Sequence, residues 1–293
     1  MSPTQARTFH AVADAGSFTG AAKALHVSQP TVTTQIKELE QLYDVELFLR
    51  HARGVSLTPI GQELLKIVRR IDASQKDAVA FLLAAQGLHT GHLRLGAYGG
   101  THDVIRLLAE FNRRYPEPEV NITFANSMTL QEALLNHDLD VAVFTRSESS
   151  LEFYTLPYRH HTRQVAIIGK QHPWRNRKSV RVEELSEQVL LIREPGSEAR
   201  RAMEKVIKQA GSPPKKIIQI GSREGVLAAV AEGIGISTIF DEGLVPQQVV
   251  IKVPIVGAEV NTDVDVVCLA ERKNTRIIAA FLQIAEELRP ATG

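Results

Sequence analysis

Apolar residues in the opening stretch of the chain recur every three or four positions, and residues 17–37 read as two short helices joined by a tight turn. Ala21, Ala22, Leu25 and Val27 are small or apolar where two helices must approach closely. Ser28 stands as an N-cap before Gln29, Pro30 and Thr31. A proline there forfeits no hydrogen bond, because the first N–H groups of a helix have no partner within it. Val32, Ile36 and Leu39 then repeat at helical spacing, which turns Gln29, Thr31, Thr33, Thr34 and Lys37 outward. A strand pair is predicted at residues 45–49 and 55–57, with a turn at His51, Ala52, Arg53 and Gly54.

From Thr58 and Pro59 a helical pattern runs without a breaker to Gly87. Leu64, Val68, Ile71, Ala78, Leu82 and Ala85 fall in alternating steps of four and three, the seam of a two-stranded coiled coil, with Gln75 as one polar interruption. A helix this long cannot bury its stripe locally, so the pattern predicts a homodimer. After a hinge at residues 89–92 the period changes. Strands are predicted at 93–98, 120–125 and 141–144, separated by helices at 103–115 and 130–136. A second set follows: strands at 164–168, 189–193, 217–220 and 236–240, with helices at 197–210 and 224–232. A strand at 264–269 and a helix at 274–288 return to the first set. Such repeats predict an α/β fold with a mostly parallel sheet covered on both faces. Two lobes joined by two crossings leave a cleft between them. The expected division is 1–57, 58–90 and 91–293, with lobe I at 91–161 and 263–293 and lobe II at 162–262.

Composition adds limits. At 293 residues and 44% hydrophobic content the chain can support two or three cores. A net charge of +1 announces no global field for nucleic acid, so any DNA contact must be local. In residues 1–57 Arg7, Lys23, Lys37, Arg50 and Arg53 are balanced by Asp14, Glu38, Glu40, Asp44 and Glu46. Placement decides: Glu38, Glu40 and Asp44 fall at or beyond the end of the second helix, and its first two turns carry no acid. Cys268, the sole cysteine, reads as a buried strand residue. The chain begins without a signal pattern and holds no apolar run of membrane-spanning length, so a cytoplasmic location is expected.

Two helices with a tight turn and outward polar donors suit a DNA major groove. Gln29, Thr31, Thr33, Thr34 and Lys37 are the candidate base and phosphate readers, and Arg53 at the hairpin tip is placed for a phosphate or the minor groove. The blocks ADAGSFTGAA at 13–22, VSQP at 27–30, LYDVELF at 42–48 and RGVSLTPIG at 53–61 resemble the LysR-type transcriptional regulators, and the likeness runs over nearly the whole length. It implies a winged helix-turn-helix, a dimerising linker helix and a periplasmic-binding-protein-like effector domain, commonly in a homotetramer, and it implies groove contacts at Gln29, Pro30, Thr31, Thr33, Thr34 and Lys37 with Arg53 in the wing. One departure is visible: positions 33 and 34 are both threonine where many relatives look like Ser-Arg. Losing that arginine shifts affinity toward Lys37 and the wing.

In open α/β lobes, ligands collect where strand ends meet helix N-termini, whose unpaired N–H groups and dipole attract anions. Four junctions qualify: Tyr98, Gly99, Gly100, Thr101 and His102; Asn126, Ser127, Met128 and Thr129; Arg193, Glu194, Pro195, Gly196 and Ser197; Gly221, Ser222 and Arg223. Each hydroxyl alone is explained by helix capping. Their convergence on one cleft predicts a small anionic effector held by Thr101, Ser127, Ser197 and backbone amides, with charge from His102, Arg146, Arg193 and Arg223. Arg193 has a competing reading as a partner of Glu194 or Glu224. No cofactor and no metal are expected. The molecule is then a ligand-gated switch on promoter DNA that recruits or releases RNA polymerase.

An enzyme is disfavoured, since the chain carries no HExxH, GxSxG, phosphate-loop lysine or CxxC pattern. GIGIS at 233–237 precedes a strand, whereas a dinucleotide site needs its glycines after one. His160 and His161 are adjacent and point apart in a strand, so a shared metal would need further ligands. A solute-binding module without DNA function would explain residues 91–293 but not residues 1–57.

Overall fold

The computed structural model describes residues 1–51, 54–85, 91–98, 102–146, 150–209, 211, 213–241, 250–257 and 261–290. The chain divides into two compact units, Met1–Gln86 and Gly87–Gly293. The first opens with α1 (Pro3–Ala15), whose N-terminus is closed by a capping box of Ser2 and Gln5. Next come α2 (Phe18–Leu25), capped by Ser17 and ended at His26 in the left-handed region, and α3 (Gln29–Tyr43), capped by Ser28 and ended at Asp44. The strands β1 (Phe48–His51) and β2 (Gly54–Leu57) pair antiparallel, Phe48 facing Leu57 and His51 facing Gly54. Phe9, Val12, Ala21, Val32, Ile36, Leu39 and Leu47 form one dry core under the three helices. Each large side chain so buried contributes on the order of 1.5–3 kcal/mol.

The helix α4 (Pro59–Ala85) follows. Thr58 starts it, its hydroxyl accepting from Gly61 N–H and donating to the Glu46 carbonyl. The seam divides in a way its spacing does not reveal. Val68 is 3% exposed inside the amino-terminal core, and Leu64 packs against that core, so these two positions serve their own unit. Ile67, Ile71, Phe81 and Leu82 are each half exposed or more. The physical reason is that the first turns of α4 lie against α1, and a stripe covered there cannot also face a partner.

The second unit contains β3 (His92–Ala97), α5 (His102–Arg114), β4 (Glu119–Phe124), α6 (Ser127–Leu135), β5 (Val141–Arg146) and the 17-residue β6 (Phe153–Gly169). It continues through β7 (Val180–Arg181), β8 (Val189–Ile192), α7 (Glu198–Gln209), β9 (Lys216–Gln219), α8 (Arg223–Ala231), β10 (Ser237–Phe240), β11 (Val250–Val256), β12 (Asn261–Leu269) and α9 (Arg276–Glu287). The main sheet has the order β4-β3-β5-β12-β6-β11-β7, with β10 also on β6. Strands β3, β4 and β5 are parallel, while β12 runs antiparallel to both β5 and β6, so the sheet is mixed.

The strand β6 serves both halves. Its first part pairs with β12 from Phe153 opposite Leu269 to Arg163 opposite Asn261; its last part, from Gln164, pairs with β10 and β11. Only the last part reads as a continuous apolar run in sequence, Val165 to Ile168; Arg159, His160, His161, Thr162 and Arg163 hide the rest. The strands β7 and β11 likewise lie outside the segments that periodicity predicts as strands. Lobe I centres on Leu93, Leu95, Phe111, Val266 and Phe281. Lobe II centres on Ile168, Trp174, Leu190, Val206 and Val253 on one face of its sheet, with Ile167, Val226 and Ile239 on the other. A buried ion cluster ties lobe I: Asp140, 3% exposed by side chain, accepts from Arg94 at 2.7 Å and Arg272 at 2.7 Å.

Candidate functional site

The outward face of α3 is built by its inward one. Val32, Ile36 and Leu39 are buried, and the intervening Gln29, Pro30, Thr31, Thr34 and Lys37 are exposed. Two of the hydroxyls are already engaged. Thr33, half-buried, donates to the Gln29 carbonyl at 3.0 Å and accepts from the Gln29 amide at 3.0 Å. Thr31 Oγ1 lies 2.7 Å from Ser28 Oγ, which also caps the helix. Thr34 and Lys37 project from the second and third turns of a helix whose first turn is capped. Glu40 turns inward, where its carboxylate accepts from the Leu47 N–H at 2.8 Å and the Phe48 N–H at 3.3 Å, so it adds no charge to the outward face. In the wing Arg50 stacks over Phe18 at 5.0 Å. Arg53 lies outside the described residues.

A cleft open to solvent lies between the lobes of the second unit. Lobe I supplies Tyr98 after β3, Asn126 and Ser127 at the start of α6, and Thr145 on β5. Lobe II supplies Arg193, Ser197 and Glu198 at the start of α7, Arg223 at the start of α8, and Thr238 on β10. Ala125, Ala199, Val226, Ile239 and Phe240 complete it with an apolar surface. Three helix N-termini of eight residues or more thus open on one space, and their N–H dipoles favour negative charge there.

The two lobes touch across this cleft. The Met128 N–H donates to the Gly196 carbonyl at 3.2 Å, and the Asn126 side-chain amide donates to Glu194 at 3.2 Å. Asn126 Oδ1 meanwhile caps α6 by accepting from the Thr129 N–H at 3.0 Å. Ser127, 2% exposed, lies 3.5 Å from Thr145 Oγ1. Arg193 pairs with Glu194 through two bonds of 2.8 Å, the bland partnership its sequence neighbour suggested. Burial opposes ionisation of Glu194, but Arg193 outweighs it and holds the carboxyl below the usual range.

Of the residues singled out in sequence, Ser127, Arg193, Ser197 and Arg223 come together on this cleft. Ser222 and Thr129 do not line it: Ser222 Oγ accepts from the Gly225 N–H at 3.0 Å as the cap of α8, and Thr129 is exposed. Gly99, Gly100 and Thr101 lie outside the described residues. His102 begins α5 and Arg146 ends β5, and nothing is described of either side chain. Sequence reading missed Thr145 and Thr238, which sit inside strands where no turn or cap signal marks them, and Gln164 behind Thr238. Among the described residues no group of three or more His, Cys, Asp or Glu side chains could hold a metal. No described helix is long and apolar enough to cross a membrane.

Comparison with known proteins gives concordant results for both units. Residues 3–62 match the family model of the bacterial regulatory helix-turn-helix protein, lysR family, and residues 86–289 match that of the LysR substrate binding domain. The chain is 32% identical over 236 residues to the HTH-type transcriptional regulator CfxR of Cupriavidus necator, covering 80% of this chain and 74% of that one. The crystal structure of CbnR, a LysR family transcriptional regulator, aligns with a TM-score of 0.69 at 25% identity over 99% of this chain and 100% of CbnR. The regulatory domain of CcmR from Synechocystis, solved in complex with 2-PG, aligns with a TM-score of 0.61 at 22% identity over 69% of this chain and 99% of that domain, a likeness of fold.

Proposed function

The chain belongs to the LysR family of DNA-binding transcriptional regulators, and we propose that it reads promoter DNA through α3 and the β1–β2 wing, under control of a small anionic effector held between the lobes. It is a regulator and not an enzyme. The observation that carries the anionic reading is the convergence of the α6, α7 and α8 N-termini on one cleft with hydroxyls from Ser127, Thr145, Ser197 and Thr238 and the guanidinium groups of Arg193 and Arg223. An anion gains from each of these, whereas a cation would meet two guanidinium groups and three positive helix ends. The apolar wall of Val226, Ile239 and Phe240 leaves room for a short carbon skeleton beside the charge.

The exposed stripe of Ile67, Ile71, Phe81 and Leu82 supports assembly through α4 as a homodimer, with pairs of dimers forming a homotetramer on two half-sites. A ligand shifts such an assembly only by its differential affinity for two arrangements. Closure of the lobes on the effector supplies that difference, and the spacing of half-sites transmits it to RNA polymerase. The work is done in the cytoplasm, where the chromosome is. A solute-binding module without DNA function is not favoured, because it leaves residues 3–62 without a role.

Two measurements test this. Isothermal titration of the full chain against phosphate, sulfate and a set of small carboxylates is expected to show binding to at least one; binding only to neutral or aromatic compounds would refute the anionic site. Footprinting on the region upstream of the protein's own gene is expected to show a protected segment that shortens or moves with effector. An unchanged footprint would count against the switch.

A further inference from the structure

Behind the cleft wall stands a side chain that the anionic reading does not yet use. Gln164, at the point where β6 leaves β12 for β10, is 5% exposed. Its amide Nε2 donates to Thr238 Oγ1 at 2.6 Å and to the Ala199 carbonyl at 3.4 Å. The Ala199 carbonyl fixes which end of the amide faces this way, since an amide oxygen there would oppose another acceptor. Thr238 Oγ1 must then accept from Gln164, and its own proton is left to donate elsewhere. Among the described residues the Thr238 hydroxyl has no second partner, and Thr238 lines the cleft. Gln164 Oε1 has no partner among the described residues either. A buried amide kept only for packing would be expected to satisfy both ends; this one is engaged at its donor end alone, the end that orients Thr238.

Resting on the anionic-effector reading, we propose that Gln164 is a positioning residue that occupies one acceptor lone pair of Thr238 and turns the hydroxyl proton toward the cleft. Thr238 then favours effectors presenting an ionised oxygen, carboxylate or phosphate-type, at that position over those presenting an ammonium group. A hydroxyl carries one proton and two acceptor lone pairs. Gln164 takes one of those lone pairs before the ligand arrives.

The test uses the full chain with inorganic phosphate, sulfate and oxalate as probes, titrated by calorimetry, and Trp174 fluorescence to confirm folding. A hydrogen bond to a charged acceptor converts to about a ten- to hundredfold loss of affinity when deleted. Thr238→Val is expected to show that loss for the tightest-binding probe, Thr238→Ser to restore binding to within about threefold, and Gln164→Leu to weaken it several-fold with Thr238 intact. Retention of affinity in Thr238→Val while Ser127→Ala loses it would overturn the relay and leave the cleft standing. Loss in Thr238→Val with no change in Gln164→Leu would overturn the role of Gln164. Failure of Thr238→Ser to rescue would show that shape rather than the hydroxyl matters. Absence of binding by the unaltered protein to all three probes would remove the anionic site itself, and the relay with it.

Discussion

Replacing Gly196 by alanine isolates what holds the two lobes together. Gly196 has φ of +87°, and a Cβ there would stand 2.9 Å from Met128 Cε, 3.0 Å from Met128 Cβ and 3.0 Å from Asn126 Oδ1. Gly233, in the same unit at φ of +75°, would meet nothing within 4 Å. Both substitutions force an L-residue into left-handed backbone, at about 1–2 kcal/mol. Only Gly196→Ala also drives a methyl between α6 and the β8–α7 segment. That displaces the Met128 N–H from its carbonyl, worth about 0.5–1.5 kcal/mol, and disturbs the Asn126 cap on α6, worth about 0.5–2 kcal/mol. The expected cost is about 2–5.5 kcal/mol for Gly196→Ala against about 1–2 kcal/mol for Gly233→Ala. The chain's single tryptophan makes the measurement specific: Trp174 is buried in lobe II, so its fluorescence through a urea titration follows that lobe rather than the amino-terminal unit. Hydrogen exchange at Met128 and Thr129 is expected to quicken in Gly196→Ala alone. Equal costs in the two variants, within about 0.5 kcal/mol, would refute the claim that the lobes are braced at this point.

Asp140→Asn is expected to cost about 3–5 kcal/mol, because it leaves Arg272 buried without its carboxylate; a loss under about 1 kcal/mol in urea unfolding would contradict the cluster's importance. Burial pushes the Asp140 carboxyl up, but the hydrogen bonds and charge of Arg94, joined by Arg272, bring it below the ordinary value. A depressed folded-state value means the contribution is whole above about pH 4 and is lost as pH falls through the lower folded value, so the unaltered protein should lose stability in that acid window faster than Asp140→Asn does. Lys37→Ala is expected to lower the slope of log affinity against log salt by about 0.9, the signature of one phosphate contact, with little change in folding; an unaltered slope would remove Lys37 from the DNA interface. Burial raises the Cys268 thiol to about 11, ahead of the opposing charges of Arg272 and Lys273. Since the thiolate is the reactive form, iodoacetamide at neutral pH should label it only after unfolding, and peroxide should leave promoter binding unchanged. Rapid labelling of the native protein would contradict this.

The two kinds of position behaved differently under sequence reading. Residues whose roles are local are legible: Ser28 caps α3 as its place before Gln29, Pro30 and Thr31 predicts, and Val32, Ile36 and Leu39 are buried at the helical period that predicts them. Roles that depend on what lies across a sheet or a cleft are not. Val68 fits a coiled-coil seam by spacing and is core because α1 happens to cover it. Thr33 reads as a groove contact but spends its hydroxyl on its own helix. Ser222 reads as a cleft hydroxyl and is consumed as a cap, while Thr238, with no sequence signal, supplies one.

By itself the sequence determined the winged helix-turn-helix, the α/β character of the rest and the family, because periodicity, caps and turn residues act over a few positions. Tertiary structure alone decided that β6 belongs to both lobes, that Asn126 and Gly196 meet from opposite sides, and that Gln164 orients Thr238, 74 residues away along the chain. Hydrogen bonding across such a separation is fixed by sheet register and lobe packing, which the local pattern of apolar and polar residues does not encode.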